Sequence, residues 1–283
     1  MTETASHDPD FPRMPDTSHL ITENDDPVDN IPSEKNQRLL VGSLYASWSG
    51  PPPVELDGEI LSEEPRSFVA TANVGLFDRP VNDPLVPDVL VSNDIELGDH
   101  DWGPTGTRSY FVWQHGKPPE LVIEIVSNRK GGELARKRLR YAQMRIAHYV
   151  VFDPGHHLGD QTLRAFKLVG DRLEPVIVPA GTRVDVDSLG LQLGVWEGVF
   201  EQQDGLWLRF YDPAAQLLLT GDEKADAERQ KADAERQKAD AERQKAGAER
   251  QKADAERQRA DAERQRAEAL AAKLRALGID PDA

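Results

Sequence analysis

Residues 119–153 read PELVIEIVSNRKGGELARKRLRYAQMRIAHYVVFD, and this stretch predicts the fold class of the chain. Residues 121–126 are apolar except for Glu124, and a short run rich in Val and Ile is typical of a strand buried on both faces. A glycine pair and a helical pattern follow, and residues 148–153 form a second apolar run. Strand, helix and strand joined by short links predict a crossover unit in an α/β sheet that is covered by helices.

Composition and charge exclude several classes of protein. The chain contains no cysteine, which excludes disulfide bonds and thiolate metal sites. No apolar segment is long enough to span a bilayer and no signal peptide is visible, so we expect a cytoplasmic protein without membrane contact. The formal net charge is −16, and acids outnumber bases in the central part of the chain as well as near the N-terminus. This balance argues against a broad basic surface for nucleic acid, although it leaves room for a local basic patch.

The composition divides the chain into three parts. Residues 1–32 are acidic and poor in apolar residues, which predicts a disordered segment. Residues 33–212 carry the periodic apolar segments and are predicted to form one domain, which begins with an amphipathic helix capped by Ser33. Residues 213–283 contain the seven-residue repeat KADAERQ, in one copy with Gly247 in place of Asp, and this repeat predicts a long charged helix.

The repeat leaves two interpretations of the tail open. Its apolar positions are alanines at two- and five-residue steps, which make a poor coiled-coil seam and favour a solvated single helix. Leu270, Leu274 and Leu277 follow at four- and three-residue steps, which favour helix–helix association near the end of the chain. The alternative to a solvated helix is therefore a homo-oligomer joined through a coiled coil.

Two acids lie within apolar strands and are candidates for chemistry. Asp88 belongs to the strand PDVLVS of residues 87–92, and Glu124 belongs to the central stretch. A buried carboxylate is costly unless it is paired or bound to a cation. If the two strands are neighbours, both carboxylates can hold one divalent cation, Mg²⁺ or Mn²⁺, through oxygen ligands. The structural alternative is that each acid pairs with a buried arginine or caps a turn.

Lys137 is the third candidate, on the helix that follows the Glu124 strand. It lies four residues before Tyr141, so the two side chains share one face of the helix. Two acids and one ammonium group suit phosphodiester hydrolysis, because a metal ion activates water and fixed positive charge stabilises the developing negative charge. The alternative is an exposed helix cation, since Arg136, Arg138 and Arg140 surround Lys137.

In their order along the chain, these motifs resemble the Uma-two-type restriction endonuclease family of the PD-(D/E)XK nuclease superfamily. The motifs are Pro87-Asp88, the segment PELVIEIVS, Lys137-x-x-x-Tyr141 and the segment HYVVFDP. The resemblance implies a restriction-endonuclease-like core with a central mixed sheet flanked by helices. It also implies that Asp88, Glu124 and Lys137 are catalytic and that Asp88 and Glu124 are the metal ligands.

One departure from the superfamily pattern concerns the lysine two residues after the second acid, where this chain has Val126. The resemblance implies that Lys137, on the following helix, takes its place. In the family an acid from the first helix often completes the metal site, and Glu34 is the only carboxylate in that segment here. Glu34 is therefore a candidate third ligand.

These expectations favour a Mg²⁺-dependent (or Mn²⁺-dependent) endonuclease that hydrolyses phosphodiester bonds of DNA. The alternative, from a different class, is a catalytically silent nuclease-like scaffold that acts as an interaction protein through its repeat helix. Two acids and a lysine at the matching positions favour the enzyme, whereas the acidic core and the long helix favour the scaffold.

Overall fold

The computed structural model describes residues 30–56, 59–60, 66–79, 83–97, 109–128, 132–179 and 181–276. The chain divides into two compact units, Met1–Gly221 and Asp222–Ala283. Disorder was predicted for residues 1–32, of which residues 1–29 lie outside the described residues. The prediction was wrong for residues 31–32, which form the start of a helix.

Among the described residues, all the strands and three of the helices belong to the first unit. In chain order the strands are β1 (Glu55–Leu56), β2 (Glu59–Ile60), β3 (Phe68–Ala72), β4 (Gly75–Phe77), β5 (Val89–Asn93), β6 (Ser109–Phe111), β7 (Leu121–Ile125), β8 (His148–Phe152), β9 (Leu163–Val169), β10 (Arg172–Val176), β11 (Arg183–Val186), β12 (Leu191–Phe200) and β13 (Gln203–Tyr211). The described helices are α1 (Ile31–Ser47), α2 (Val112–His115), α3 (Arg138–Gln143), which continues a π-helical turn at Glu133–Lys137, and α4 (Gly221–Ala276), which forms most of the second unit.

A six-stranded mixed sheet in the order β10-β9-β8-β7-β5-β3 organises the first unit. β7 and β8 are parallel, with Leu121 opposite His148, and the π-helical turn and α3 lie between them in the chain. The other neighbouring pairs of this sheet are antiparallel. The α/β fold class and the strand–helix–strand unit predicted from residues 119–153 are therefore confirmed.

Different elements cover the two faces of this sheet. One cluster of buried residues joins α1 and the three-stranded sheet β11-β12-β13 to the first face, and it includes Leu44, Val91, Ile123, Leu193 and Phe210. The other cluster joins α3 to the second face, and it includes Leu90, Val122, Tyr141, Tyr149 and Phe166. Each large apolar side chain in these clusters contributes about 1.5–3 kcal/mol by leaving water. Because side chains alternate along β7, Glu124 shares the second face with Val122.

Helix α1 begins three residues before the predicted start. Asn30 is the N-cap, and its Oδ1 accepts a hydrogen bond of 2.9 Å from the backbone N–H of Ser33, the third helical residue. The prediction of Ser33 as the cap was therefore wrong. Pro32 fits in the first turn because the N–H groups there have no helical partner. The predicted amphipathic helix is confirmed, since Leu40 and Leu44 are fully buried.

The second unit contains α4, a continuous helix of 56 residues that includes every copy of the repeat. The long charged helix predicted from the repeat is therefore confirmed. The helix begins at Gly221. Residues 213–220, which were assigned to the tail from sequence, belong instead to the first unit, and Leu218 lies in the core of that unit. Leu270 is 60 % exposed, and Leu277 lies outside the described residues. Self-association of the helix stays a prediction.

Removal of the tail after Thr220 is expected to leave the thermal midpoint of the first unit nearly unchanged. The chain has no large apolar residue between Lys224 and Ala269, so α4 buries little apolar surface. Calorimetry of the full chain and of a variant ending at Thr220 tests this expectation. A clearly lower midpoint in the shorter protein would contradict it, and light scattering on both proteins shows whether α4 joins copies of the chain.

Candidate active site

The two acids predicted from sequence lie on neighbouring strands. β5 runs antiparallel to β7, and the register pairs Val89 with Ile123. Asp88 precedes Val89 and Glu124 follows Ile123, so the same register places the two acids side by side. Asp88 Oδ2 accepts a hydrogen bond of 2.6 Å from the backbone N–H of Ile125. The structure therefore brings Asp88 and Glu124 together at one end of the central sheet.

Glu124 is a buried carboxylate that accepts two side-chain hydrogen bonds. The residue is 2 % exposed, Lys137 Nζ donates to Oε2 at 2.7 Å, and the Tyr141 hydroxyl donates to Oε1 at 2.6 Å. Burial raises the pKa of Glu124 to about 7 against the opposing effect of Lys137, and the nearby Asp88 carboxylate adds to the rise. Any further cation that enters the site stabilises the charged form of a buried carboxyl group whose pKa is raised in this way.

Lys137 reaches Glu124 from the helix on the second face of the sheet. It ends the π-helical turn Glu133–Lys137, and its side chain is 20 % exposed. Burial lowers the pKa of Lys137, but the Glu124 carboxylate outweighs this effect and the net shift is upward, so the side chain stays an ammonium ion. The alternative of an exposed helix cation is therefore excluded, and the predicted common face of Lys137 and Tyr141 is the face that contacts Glu124.

Glu133, at the start of the same π-helical turn, is a further buried acid near Lys137. It is 6 % exposed, and its Oε1 lies 3.8 Å from Lys137 Nζ. Its Oε2 has no hydrogen-bond partner in the part of the chain that the structure describes. Lys137 thus faces two carboxylates. Sequence reasoning missed Glu133, although its four-residue spacing from Lys137 predicts that the two side chains meet on a helix.

Helix α1 contributes Gln37 to this end of the sheet. The Nε2 of Gln37 donates to Asp88 Oδ1 at 2.7 Å, and its Oε1 accepts a hydrogen bond of 2.9 Å from Asn73 Nδ2. Gln37 is 2 % exposed. Because Asp88 is thus bonded through both carboxylate oxygens, its orientation is defined by α1 and by the backbone of β7.

Glu34, the candidate ligand from the same helix, points to a different partner. Both of its carboxylate oxygens accept hydrogen bonds from Arg38, and its side chain is 47 % exposed. The structure therefore assigns Gln37, three residues later, as the α1 residue that touches Asp88. The prediction from sequence considered only the carboxylate of α1, whereas an amide NH₂ also makes a hydrogen bond to a carboxylate.

The sheet and the group of two acids and a lysine define a protein with a restriction-endonuclease-like core. Residues 55–196 match the Uma2 family model, described as "Putative restriction endonuclease". The chain belongs to the Uma2 family, which confirms the resemblance of its motifs. The matched residues include Asp88, Glu124 and Lys137, whereas helices α1 and α4 lie outside the matched range. No curated protein matches the chain. Among the described residues, no helix has the length and apolar character needed to cross a membrane.

The oxygen atoms of the site fit a divalent metal ion, which enzymes with this type of core typically use. Asp88 and Glu124 offer carboxylate oxygens, the ligand type that Mg²⁺ and Mn²⁺ prefer. Since the Asp88 charge raises the pKa of Glu124, a cation held by both acids would offset their repulsion. Within the described residues, no three acidic or histidine side chains are grouped for a metal ion, so an ion here would keep several water ligands, as Mg²⁺ usually does.

Proposed function

We propose that this protein is a metal-dependent endonuclease that hydrolyses phosphodiester bonds of DNA, with Asp88 and Glu124 holding Mg²⁺ or Mn²⁺. The hydrogen bond from Lys137 Nζ to Glu124 Oε2, beside Asp88, carries the proposal. It joins a strand and a helix into one group of two acids and an ammonium ion. Buried charges contribute little net stability to a fold and are costly when imperfectly paired, so their presence together supports a chemical function.

Each residue of the group has a distinct function in this proposal. The metal ion, when bound, supplies an activated water molecule and stabilises negative charge on the phosphate. Asp88 is oriented by the N–H of Ile125 and the amide of Gln37, so its ligand atoms are preorganised. The ammonium of Lys137 is a fixed positive charge that stabilises the negative charge developing on the attacked phosphate.

The purified full chain is expected to nick supercoiled plasmid DNA in the presence of Mg²⁺ or Mn²⁺ and to lose this activity in excess EDTA. Metal removal abolishes the reaction because no protein group replaces the activated water. Gel electrophoresis of metal-free and metal-reconstituted protein measures the effect, and restored nicking on metal addition is the control. If a folded protein cleaves no plasmid, linear duplex or single strand with either metal, the result favours the nuclease-like scaffold that acts through α4.

A further inference from the structure

Glu133 is a buried acid beside the candidate active site that the proposed metal site does not use. Its Oε2 has no hydrogen-bond partner among the described residues. Within the same residues, Glu133 does not combine with Asp88 and Glu124 into a set of ligands for one metal ion. A buried carboxylate oxygen without a partner is costly, so its presence at a candidate site calls for a functional explanation.

The backbone of the π-helical turn holds Glu133 and Lys137 in place. The hydroxyl of Tyr149, a fully buried residue of β8, donates a hydrogen bond of 3.1 Å to the carbonyl oxygen of Glu133. The N–H of Lys137 donates to the carbonyl oxygen of Gly132 at 3.1 Å, which is the five-residue hydrogen bond of a π-helix. A change in the contact between Glu133 and Lys137 therefore involves mainly their side chains.

The Lys137 ammonium occupies an oxygen atom that a metal ion at Glu124 would approach. Glu124 Oε2 accepts a hydrogen bond from Lys137 and Oε1 accepts one from Tyr141, so both oxygens have protein donors. A divalent cation bound to Glu124 repels the ammonium ion, because both are positive and Glu124 is buried. Metal binding is therefore expected to weaken the contact of Lys137 with Glu124.

Glu133 offers the ammonium a second carboxylate within the site. Its Oε1 lies 3.8 Å from Lys137 Nζ, which is an ion pair but too long for a hydrogen bond. A movement of about 1 Å would bring the two atoms to the usual length of a charged hydrogen bond. Lysine has a flexible stem and three N–H donors, so a movement of this size needs no change in the backbone.

We propose that Glu133 receives the Lys137 ammonium when a divalent cation binds Asp88 and Glu124. This inference rests on the proposed metal-dependent function and describes how the same site exchanges one cation for another. Glu133 is a positioning residue, because it acts through Lys137 and contacts neither the metal ion nor DNA. It keeps the ammonium in the site by balancing its charge once Glu124 binds the metal ion.

A double-mutant cycle on Mn²⁺ affinity tests the proposal. Isothermal titration calorimetry at constant pH measures Mn²⁺ binding to the full chain, with the variants Glu133→Gln, Lys137→Met and their combination. In the presence of Lys137, we expect Glu133→Gln to weaken Mn²⁺ binding about tenfold, as the loss of a group that supports metal ligands does. In the Lys137→Met background, we expect the same substitution to change the affinity by no more than about twofold, because the ammonium is absent.

The direction of this coupling separates the proposal from a direct effect of the Glu133 charge on the metal ion. If Glu133 acts directly, as a ligand or by its charge, its loss weakens binding at least as much without Lys137, because no ammonium then screens the carboxylate. An effect of Glu133→Gln that is equal or larger in the Lys137→Met background would therefore overturn the proposal.

Two further variants are controls for Glu133→Gln. Glu174→Gln is the same substitution at an exposed position of β10, three strands from β7 in the sheet, and should leave Mn²⁺ affinity unchanged. Glu133→Asp keeps the negative charge and should retain most of the affinity that Glu133→Gln loses. Circular dichroism checks that each variant is folded.

A second measurement covers the case in which the variants without Lys137 do not fold. It follows the Lys137 ammonium by NMR in ¹⁵N-lysine-labelled protein saturated with Mg²⁺. We expect a sharp signal in the wild type, because a carboxylate holds the ammonium protons and slows their exchange with water. We expect this signal to broaden or disappear in Glu133→Gln. An equally sharp signal in both proteins would contradict the proposal.

The outcomes also keep the exchange of the ammonium apart from the nuclease function. Plasmid nicking together with an effect of Glu133→Gln that does not depend on Lys137 overturns the exchange and leaves the nuclease function standing. An effect that depends on Lys137, in a protein that cleaves no DNA with either metal, supports the exchange and overturns the nuclease function. A wild type that binds no Mn²⁺ overturns both.

Discussion

Replacement of Lys137 by alanine is expected to lower the rate of metal-dependent plasmid nicking at least about 100-fold, the typical cost of removing one group that stabilises charge in the transition state. We expect that no neighbouring cation replaces this ammonium. Its Nζ contacts Glu124 directly, and its raised pKa keeps it charged at neutral pH. Nicking rates measured at saturating Mg²⁺ test the expectation, with circular dichroism as the check that the variant is folded.

Arg136→Ala is the matched control for the lysine variant. Arg136 precedes Lys137 on the same π-helical turn and its side chain is exposed, so its loss is expected to change the rate little. Arg138 is less suitable, because its guanidinium donates to the carbonyl of Leu173 and stacks on the Phe166 ring. Equal nicking rates in Lys137→Ala and Arg136→Ala would remove Lys137 from the mechanism.

Asp88→Asn is expected to weaken Mn²⁺ binding at least about tenfold, since even groups that only support metal ligands contribute this much to affinity. The nicking rate should fall at least about 100-fold, because the metal ion that activates water and stabilises charge on the phosphate is held less well. Asparagine keeps one oxygen that accepts a hydrogen bond, so the contact with Ile125 can persist while a metal-ligand charge is lost. Isothermal titration calorimetry with metal-free protein measures the change in affinity.

Asp94→Asn is the control for this charge change. Asp94 follows β5 directly, whereas Asp88 precedes it, so the two acids lie at opposite ends of one strand. Asp94 is 49 % exposed and pairs with Arg66, a surface ion pair worth about 0–1 kcal/mol. Its replacement should leave Mn²⁺ affinity and nicking unchanged. The same Mn²⁺ affinity in Asp88→Asn and the wild type would exclude Asp88 as a metal ligand.

The α/β core was predictable because the decisive patterns are local. An apolar run of five or six residues with one acid is recognisable without knowledge of its neighbours, and both β7 and β8 were found in this way. The long helix α4 was predictable from its composition, since strong helix formers repeat over its whole length. The cap of α1 was missed because both Asn30 and Ser33 are favourable caps, and local propensity alone does not distinguish them.

The candidate site was only partly predictable. Residue type and position along the chain selected Asp88, Glu124 and Lys137, and the four-residue step from Lys137 predicted the participation of the Tyr141 face. Neither the neighbouring positions of β5 and β7 nor the direction of the Lys137 side chain follows from local pattern. Strand order brought the acids together, and packing of α3 on the second face of the sheet turned the lysine toward Glu124.

Local periodicity and residue chemistry were thus sufficient for the central strands, the long helix and the candidate residue types, because these depend on neighbours within a few positions in the chain. Only the tertiary structure selected Gln37 over Glu34, since the hydrogen bond to Asp88 joins residues 51 positions apart. Contacts between distant segments depend on how helices and sheets pack, and the packing geometry is not contained in any single stretch of the chain.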